Sequence, residues 1–231
     1  MLYAKSNALP VAETTLGKVK KVSKPIAKFV LHILELWLSM NCRYVFTNMQ
    51  RWGARAEKSY RQMFAKFFDW LGFNVQLTRQ HGSKEMICVF DPFFVKKSGK
   101  RTYGVGTFWS SGAGKALRRL EVGCLCFVDV VVGTALHALA EQTLSPKALK
   151  HKGKPLVNHY VRVINKQVKQ IQKLTRYLAV DGYFMKRDFI APLTAEGLQV
   201  ITKMRRDANL RYLYRGPKKP GKGRPKLYDG R

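Results

Sequence analysis

Acidic residues are scarce in this chain. Only 14 Asp and Glu stand against 43 Lys and Arg among 231 residues, so the formal net charge is +29. Any compact form must tolerate the mutual repulsion of these cations, which a polyanionic partner would relieve. Nucleic acid is the leading candidate, because neutralising phosphates releases condensed counterions. Secreted cationic proteins and ribosomal proteins are the alternatives that share this charge.

Cysteines and long apolar runs are also few. Cys42, Cys88, Cys124 and Cys126 form neither a CxxC pair nor an even extracellular framework, which predicts a reduced, intracellular compartment and no zinc site. The apolar residues 29–40 fall short of the roughly 20 residues that a membrane-spanning helix needs. The first residues also lack the pattern of a signal peptide. We therefore expect a cytoplasmic protein without a membrane anchor.

Two further patterns are too incomplete to indicate a site. Residues 112–115 read GAGK, but Ala116 replaces the Ser or Thr of a phosphate-binding loop and Trp109 occupies the place of its first glycine. The five histidines are scattered without metal-ligand spacing. The sequence therefore predicts neither an ATPase nor a histidine-bound metal.

The hydrophobic content of 46% is that of a globular protein, and the length suits one large domain or a small domain before a larger one. Between residues 28 and 80 apolar residues recur at helical spacing, as in Val30, Leu34 and Trp37. Basic residues are interleaved with them, so one helix face can pack while another meets phosphate. We expect residues 1–80 to be a helical DNA-binding region, although a charged helix face is often only a solvated face.

After His81 the pattern predicts a mixed sheet with helices on its faces, hence an α/β fold for residues 81–231. Residues 86–90 form a buried-strand pattern that ends on Asp91, and residues 176–180 form another that ends on Asp181. Further strands are expected at 102–109, 120–132, 134–143 and 198–204. The spacing predicts one amphipathic helix over 158–174, a basic loop over 146–155 and a solvated tail from residue 205.

The two strand-terminal aspartates carry the strongest chemical signal. If their strands are neighbours, Asp91 and Asp181 lie side by side and repel, unless a divalent cation lies between them. Mg²⁺ fits carboxylate oxygens best, and paired metal ions serve phosphodiester chemistry. Taken singly, such an aspartate is more commonly a turn former or helix cap. Asp129, in the middle of an apolar run, is a third candidate, with a solvated strand face as its alternative.

Several blocks of the chain resemble DDE transposases of bacterial insertion sequences, in the group with β-strands inserted in an RNase H-like core. Residues 90–106, FDPFFVKKSGKRTYGVG, are similar to the first catalytic block. Residues 177–184, YLAVDGYF, followed by 198–208, LQVITKMRRDA, are similar to the second block, and the element GRPK at 223–226 resembles one that recurs in the family after it. The helical segments NMQRW at 48–52 and EKSYR at 57–61 resemble the N-terminal region of the family.

The resemblance implies that Asp91 and Asp181 are the first two acids of the catalytic triad, that they bind Mg²⁺ or Mn²⁺, and that they serve strand cleavage and transfer in DNA transposition. It further implies a nucleoid-associated homodimer that binds transposon ends and target DNA. We expect the residues that hold the DNA backbone to be the following: Lys96, Lys97, Lys100 and Arg101 beside the first acid, Arg51, Arg55 and Arg61 in the helical region, and Lys218, Lys219 and Arg224 in the tail.

The chain departs from the family pattern at the third acid. The family's glutamate lies on a helix well beyond the second block, whereas this sequence ends at Arg231, Glu196 follows Asp181 too closely, and Glu121 lies between the two aspartates. We therefore expect a transposase incomplete at its C-terminus, which binds DNA ends but cleaves poorly. The alternative is a non-catalytic basic DNA-binding protein, and a ribosomal or RNA-packaging protein is a third class.

Overall fold

The computed structural model describes residues 2–97, 102–151, 153, 155–205, 207–208, 211–217 and 226–229. The N-terminal part is helical, as predicted. Its helices are α1 (Leu2–Lys18), α2 (Lys24–Ser39), α3 (Phe46–Trp52), α4 (Glu57–Phe64) and α5 (Trp70–His81). Proline near the start of α2 favours helix initiation there, and Asp69 caps α5 by accepting a hydrogen bond from the Gly72 amide at 2.8 Å.

Apolar residues hold the helical part together. Phe29 and Ile33 of α2 pack against Tyr60 of α4, while Val30 packs with Leu16 of α1 and Phe73 of α5. Helix α5 also contributes Leu71 and Val75 to the core under the sheet. Consequently α5 joins the helical part to the sheet that follows.

The second part of the chain forms a mixed sheet, so the α/β prediction is confirmed. Its strands are β1 (Met86–Val95), β2 (Gly106–Ser110), β3 (Lys115–Asp129), β4 (Thr134–Thr143), β5 (Tyr177–Val180) and β6 (Gln199–Thr202). Its helices are α6 (Pro146–His151), α7 (Leu156–Asn165), α8 (Val168–Ile171) and α9 (Arg187–Ala195). A small hairpin pairs β7 (Tyr212–Leu213) with β8 (Tyr228–Asp229).

The strand order places β1 at the centre of the sheet. β3 pairs antiparallel with β1 on one side, and β4 pairs with β3. On the other side β5 pairs parallel with β1, and β6 pairs parallel with β5. β2 extends the sheet by pairing with the first residues of β3. Two parallel strands thus follow three antiparallel ones.

One face of the sheet carries the core. Cys88 and Phe90 of β1, with Phe127 of β3, are fully buried among residues of α5, α7, α8 and α9. The opposite face holds alternate residues of the same strands, including Val89, Asp91 and Cys124, which are exposed or half-buried. In the described part of the chain, no helix is long and apolar enough to cross a membrane.

Several predicted boundaries were wrong. β1 does not end at Asp91 but continues to Val95, because its pairing with β3 extends to Leu120. β2 begins at Gly106 rather than at residue 102, and β3 covers 115–129 rather than 120–132. Residues 146–151 form α6 where a loop was expected. β4 occupies the predicted residues 134–143.

The predicted helix over 158–174 is two helices, α7 and α8, and the sequence did not reveal the later helix α9. The apolar spacing continues through the break, since Ile164, Val168 and Ile171 are all buried. Periodicity alone therefore could not locate it. The tail, expected to be a solvated loop, contains the β7–β8 hairpin among its described residues.

Candidate active site

Asp91 lies on β1, and Asp181 directly follows β5, the parallel neighbour of β1. Cys88 of β1 is aligned with Leu178 of β5, and Val89 with Ala179. Continuing this register by two residues places Asp91 opposite Asp181. Neighbouring strands lie about 4.8 Å apart, and aligned residues point to the same face of a sheet. The two carboxylates therefore share the face that the core helices leave uncovered.

The backbone around Asp181 is held in place by two hydrogen bonds. Its carboxylate accepts one from the Tyr183 amide at 2.9 Å, which caps a 3-10 turn over Gly182–Phe184. The Thr202 hydroxyl of β6 donates to the Asp181 carbonyl oxygen at 2.7 Å. The turn-capping interpretation of this aspartate is therefore correct. It does not conflict with metal binding, because a carboxylate has two oxygens that accept several interactions.

The surroundings of Asp91 favour the neutral form of its carboxyl group. Partial burial raises the pKa of its carboxyl above the ordinary value, and the negative charge of Asp181 raises the pKa further. Both effects disfavour two adjacent anions in the absence of a counter-charge. A cation between the two carboxylates would remove the repulsion.

Lys186 is a neighbour of the pair that the sequence did not reveal. Its ammonium lies 3.6 Å from the centre of the Tyr183 ring, two residues after Asp181. Burial lowers the pKa of Lys186, as does the charge of Arg205, whereas the charge of Asp181 raises it. The sequence feature that could have identified this lysine was its position, five residues after Asp181. Lys186 places a positive charge beside Asp181.

A thiol and an imidazole also lie on this face. Cys124 is the register partner of Asp91, and its Sγ is 3.7 Å from Nδ1 of His137 on β4. Burial raises the pKa of the Cys124 thiol, and the nearby Cys126 and Asp91 raise it further. The thiol is therefore protonated at neutral pH. The sequence offered no signal for this contact, because the register of β3 and β4 shifts at the bulge after Leu125.

The basic residues expected to contact DNA lie in three places. Lys96 and Lys97 are exposed and directly follow β1, the strand that carries Asp91. Lys100 and Arg101 lie outside the described residues, as do Lys218, Lys219 and Arg224. The remaining three, Arg51, Arg55 and Arg61, belong to the helical part.

The three arginines of the helical part differ in their contacts. Arg51 is exposed on α3. Arg55 is half-buried, with its guanidinium 6.0 Å from the centre of the Phe29 ring. Arg61 is ion-paired with Glu57 one turn before it and lies 4.8 Å over the Phe46 ring. Arg51 is thus the most open to phosphate, and Arg61 also stabilises the packing of α3 against α4.

Asp129 is not part of the site. It is aligned with Met86, at the opposite end of β1 from the acid pair. Its carboxylate is buried and accepts hydrogen bonds from the Ser83 amide at 2.6 Å, the Ser83 hydroxyl at 2.7 Å and the Val132 amide at 3.0 Å. These bonds, those from Ser83 first, lower its pKa. The solvated-face alternative was also wrong, since Asp129 ties the β3–β4 turn to the segment before β1.

Glu121 lies on the core side of β3, where Phe94 is its register partner. It is almost fully buried, and the Tyr160 hydroxyl of α7 donates a hydrogen bond to its carboxylate at 2.5 Å. Burial raises the pKa of Glu121, and the bond from Tyr160 opposes that rise. Glu121 therefore faces away from the side that carries Asp91.

Within the described ranges, no group of three or more His, Cys, Asp and Glu side chains could hold a metal ion. The described residues thus supply two carboxylates rather than a complete protein cage. This set still fits Mg²⁺, which commonly uses one or two carboxylates together with waters and substrate phosphates. No protein-family model matches the chain, and no curated protein matches it significantly.

Proposed function

We propose that this chain carries the first two metal-binding carboxylates, Asp91 and Asp181, of a DDE-type DNA transposase. The observation that supports this most is the register of β1 and β5, which, continued by two residues, brings two aspartates far apart in sequence opposite each other on one open face. A structural role explains Asp181, which caps a turn. It does not explain why an exposed aspartate in the middle of β1 is aligned with it.

The topology supports an RNase H-like core. Strands β4, β3 and β1 form an antiparallel set, α7 follows, and β5 and β6 then add parallel to the other side of β1. An RNase H-like core has this order, with its first acid on the central strand and its second after the adjacent parallel strand. Under this proposal Asp91 is the acid on the central strand, and Asp181 is the acid after the adjacent parallel strand.

The proposed cofactor is Mg²⁺ or Mn²⁺, held by Asp91 and Asp181. When bound, one such ion would activate a water or 3′-hydroxyl nucleophile, and a second would stabilise the leaving oxygen of a phosphodiester. The chain's own contribution is to fix one carboxylate on β1 and the other directly after the adjacent strand β5, where Thr202 anchors the Asp181 backbone. Lys186, beside Asp181, is placed to meet a phosphate oxygen.

The proposed substrate is DNA, consistent with a net charge of +29. Lys96 and Lys97 would contact the backbone near the acids, and Arg51 would contact it from the helical part. The same proposal includes the oligomeric state and the location. The protein acts on paired transposon ends as a homodimer, in the cytoplasm and bound to the nucleoid. Neither Glu121, which lies on the core side, nor Glu196, which follows α9, supplies a third acid, and the described residues contain no group of three acids, cysteines or histidines that could hold a metal.

Metal binding by the pair can be tested on this chain directly. We expect Mn²⁺ to bind the wild type, as followed by electron paramagnetic resonance, and binding to be lost in both Asp91→Asn and Asp181→Asn. Asp229→Asn, which removes an exposed carboxylate on β8, is the matched control and should bind Mn²⁺ as the wild type does. Equal Mn²⁺ binding by all four proteins would exclude the site.

Cleavage is tested on DNA that carries the flanking sequence of the element. The proteins compared are this chain, the two asparagine variants, and a version extended through the next in-frame glutamate. Mg²⁺-dependent nicking by the extended form, abolished by either substitution, is the expected result. DNA binding without nicking by any form would instead favour the non-catalytic DNA-binding protein.

A further inference from the structure

A two-stranded ribbon projects beyond the end of β1. Leu120 of β3 is aligned with Val95, the last residue of β1. The preceding residues of β3, from Lys115 to Arg119, pair with β2 alone among the described strands. β2, the turn at Ser111–Ala113 and this half of β3 therefore form a hairpin, residues 106–119, that continues the sheet past its central strand.

The two sides of the hairpin differ in their surroundings. On the inner side Phe108 is almost fully buried, and its ring lies 6.0 Å from that of Phe94. On the outer side all four residues are exposed, and they are Thr107, Trp109, Ala116 and Arg118. Trp109 retains 66% of its surface exposed although it is the largest side chain of the hairpin. The inner side therefore packs, while the outer side presents an aromatic ring to solvent.

The outer side is the side of the sheet that carries the acid pair. Side chains alternate along a strand, so Cys124, Arg118 and Ala116 of β3 share one face. Asp91 is the partner of Cys124, and Trp109 is the partner of Ala116. Eight residues of β3 separate these two positions, which corresponds to about 26 Å. One strand thus connects the acids to Trp109 on a common face.

The charge of the hairpin is entirely positive. Residues 106–119 include Lys115, Arg118 and Arg119 and contain no Asp or Glu. Arg118 is exposed on the outer side together with Trp109, whereas Lys115 and Arg119 alternate to the inner side, where Arg119 lies 4.7 Å over the Phe94 ring. An exposed aromatic ring beside a cation suits a single nucleic-acid strand, in which the base stacks on the ring and a phosphate meets the cation.

We propose that the outer face of this hairpin binds a DNA strand, with Trp109 stacked on an unpaired base about 26 Å from the acid pair. Arg118, on the same face as Trp109, meets a phosphate of the same strand. The ligand is an unpaired segment rather than intact duplex, because the base faces of a duplex are covered by their neighbours. The assignment of the strand to transposon DNA rests on the proposed function, but the stacking does not.

The test measures binding of fluorescein-labelled single-stranded DNA to the full chain in EDTA, by fluorescence anisotropy. Trp109→Ala should weaken binding about fivefold or more, while Trp109→Phe, which keeps a flat ring, should lose much less. Arg118→Gln should weaken binding and reduce its salt dependence. The matched controls are Val132→Ala, equally exposed in the turn at the other end of β3, and Lys84→Gln, exposed before β1. Both should bind as the wild type does.

Two results would overturn the proposal. One is single-strand affinity that is the same in Trp109→Ala and the wild type. The other is a loss by Trp109→Ala that is as large on intact duplex as on the single strand, since this would exclude stacking on an unpaired base. Because EDTA removes metal chemistry, failure of the acid pair to bind Mn²⁺ leaves this readout unaffected. Conversely, if the chain is a transposase in which Trp109 does not contribute to DNA binding, Asp91→Asn would still abolish Mn²⁺ binding.

Discussion

The titration of Asp91 depends on one neighbouring charge. Its pKa is raised by partial burial and then by Asp181. Asp181→Asn removes the charge but leaves the burial, so the pKa of Asp91 should fall towards the ordinary 3.8 without reaching it. Carboxyl carbon NMR of the metal-free protein measures this change. Asp129→Asn, at the far end of β1, is the control and should leave Asp91 unchanged. An unaltered Asp91 pKa in Asp181→Asn would contradict the proximity of the pair.

Glu121 makes the stability of the fold depend on pH in the direction opposite to that of ordinary surface carboxylates. Its folded-state pKa is raised above the unfolded value near 4.5. Its contribution to stability is therefore fully present below that value and is lost as pH rises through the folded-state pKa. Glu121→Gln keeps an acceptor for Tyr160 without an ionisable group.

We expect Glu121→Gln to raise Tm relative to the wild type at pH 8 by more than at pH 4, as measured by scanning calorimetry. Tyr160→Phe is the companion variant, since it removes the hydrogen-bond donor and leaves the buried carboxylate unpaired. It should destabilise the fold by about 1–3 kcal/mol. A Tm difference between Glu121→Gln and the wild type that does not change with pH would show that Glu121 ionises as it does in the unfolded chain.

The hairpin depends on a glycine where it meets α6. A Cβ on Gly106 would lie 2.2 Å from the Cβ of Ser145, just before α6, so one of the two backbones must move. Gly106→Ala should cost about 1–3 kcal/mol of unfolding free energy, as measured with urea. Gly112→Ala in the hairpin turn is the control, because nothing lies within 4 Å of a Cβ there. Equal stability of the two variants would mean that the hairpin does not pack on this segment.

At the scale of elements, the sequence predicted the strands that have a repeating local pattern of residues. It missed the features that depend on pairing with a distant strand. The alternation in residues 134–143 and the apolar run before Asp181 were sufficient to locate β4 and the end of β5. The extension of β1 beyond Asp91 was not predictable in this way. It passes through Pro92, which lacks an amide donor, and is held by pairing with a strand about thirty residues later.

The candidate site was likewise predicted only in part from the sequence. The two aspartates were visible because each follows an apolar strand pattern. Their alignment, the contact of Cys124 with His137, and the position of Lys186 beside Asp181 depend on strand order and register, which the local sequence does not encode. Asp129 looked similar to the pair in sequence, yet it lies at the other end of the sheet.

At the scale of the whole molecule, the excess of cations makes DNA affinity salt-dependent. Replacing both Lys96 and Lys97 by Ala should weaken binding to all sequences and reduce the slope of log K against log salt by up to about 1.8 on duplex DNA. Lys166 and Lys169, exposed on the helical side of the sheet, provide the matched double variant. Titrations at several salt concentrations measure both slopes. If the two double variants lose the same slope, Lys96 and Lys97 have no special position relative to the DNA.

The parallel pairing of β1 with β5 also affects how the chain folds. β3 and β4 are joined by a tight turn and β1 pairs with β3, so these antiparallel strands close short loops. The pairing of Cys88 with Leu178 closes a loop of about ninety residues, which costs more chain entropy and slows folding. We therefore expect the antiparallel strands to form in the folding transition state and the β5–β6 half to join afterwards. Asp91 and Asp181 would then meet only in the final stage of folding, after the chain beyond β6 has left the ribosome.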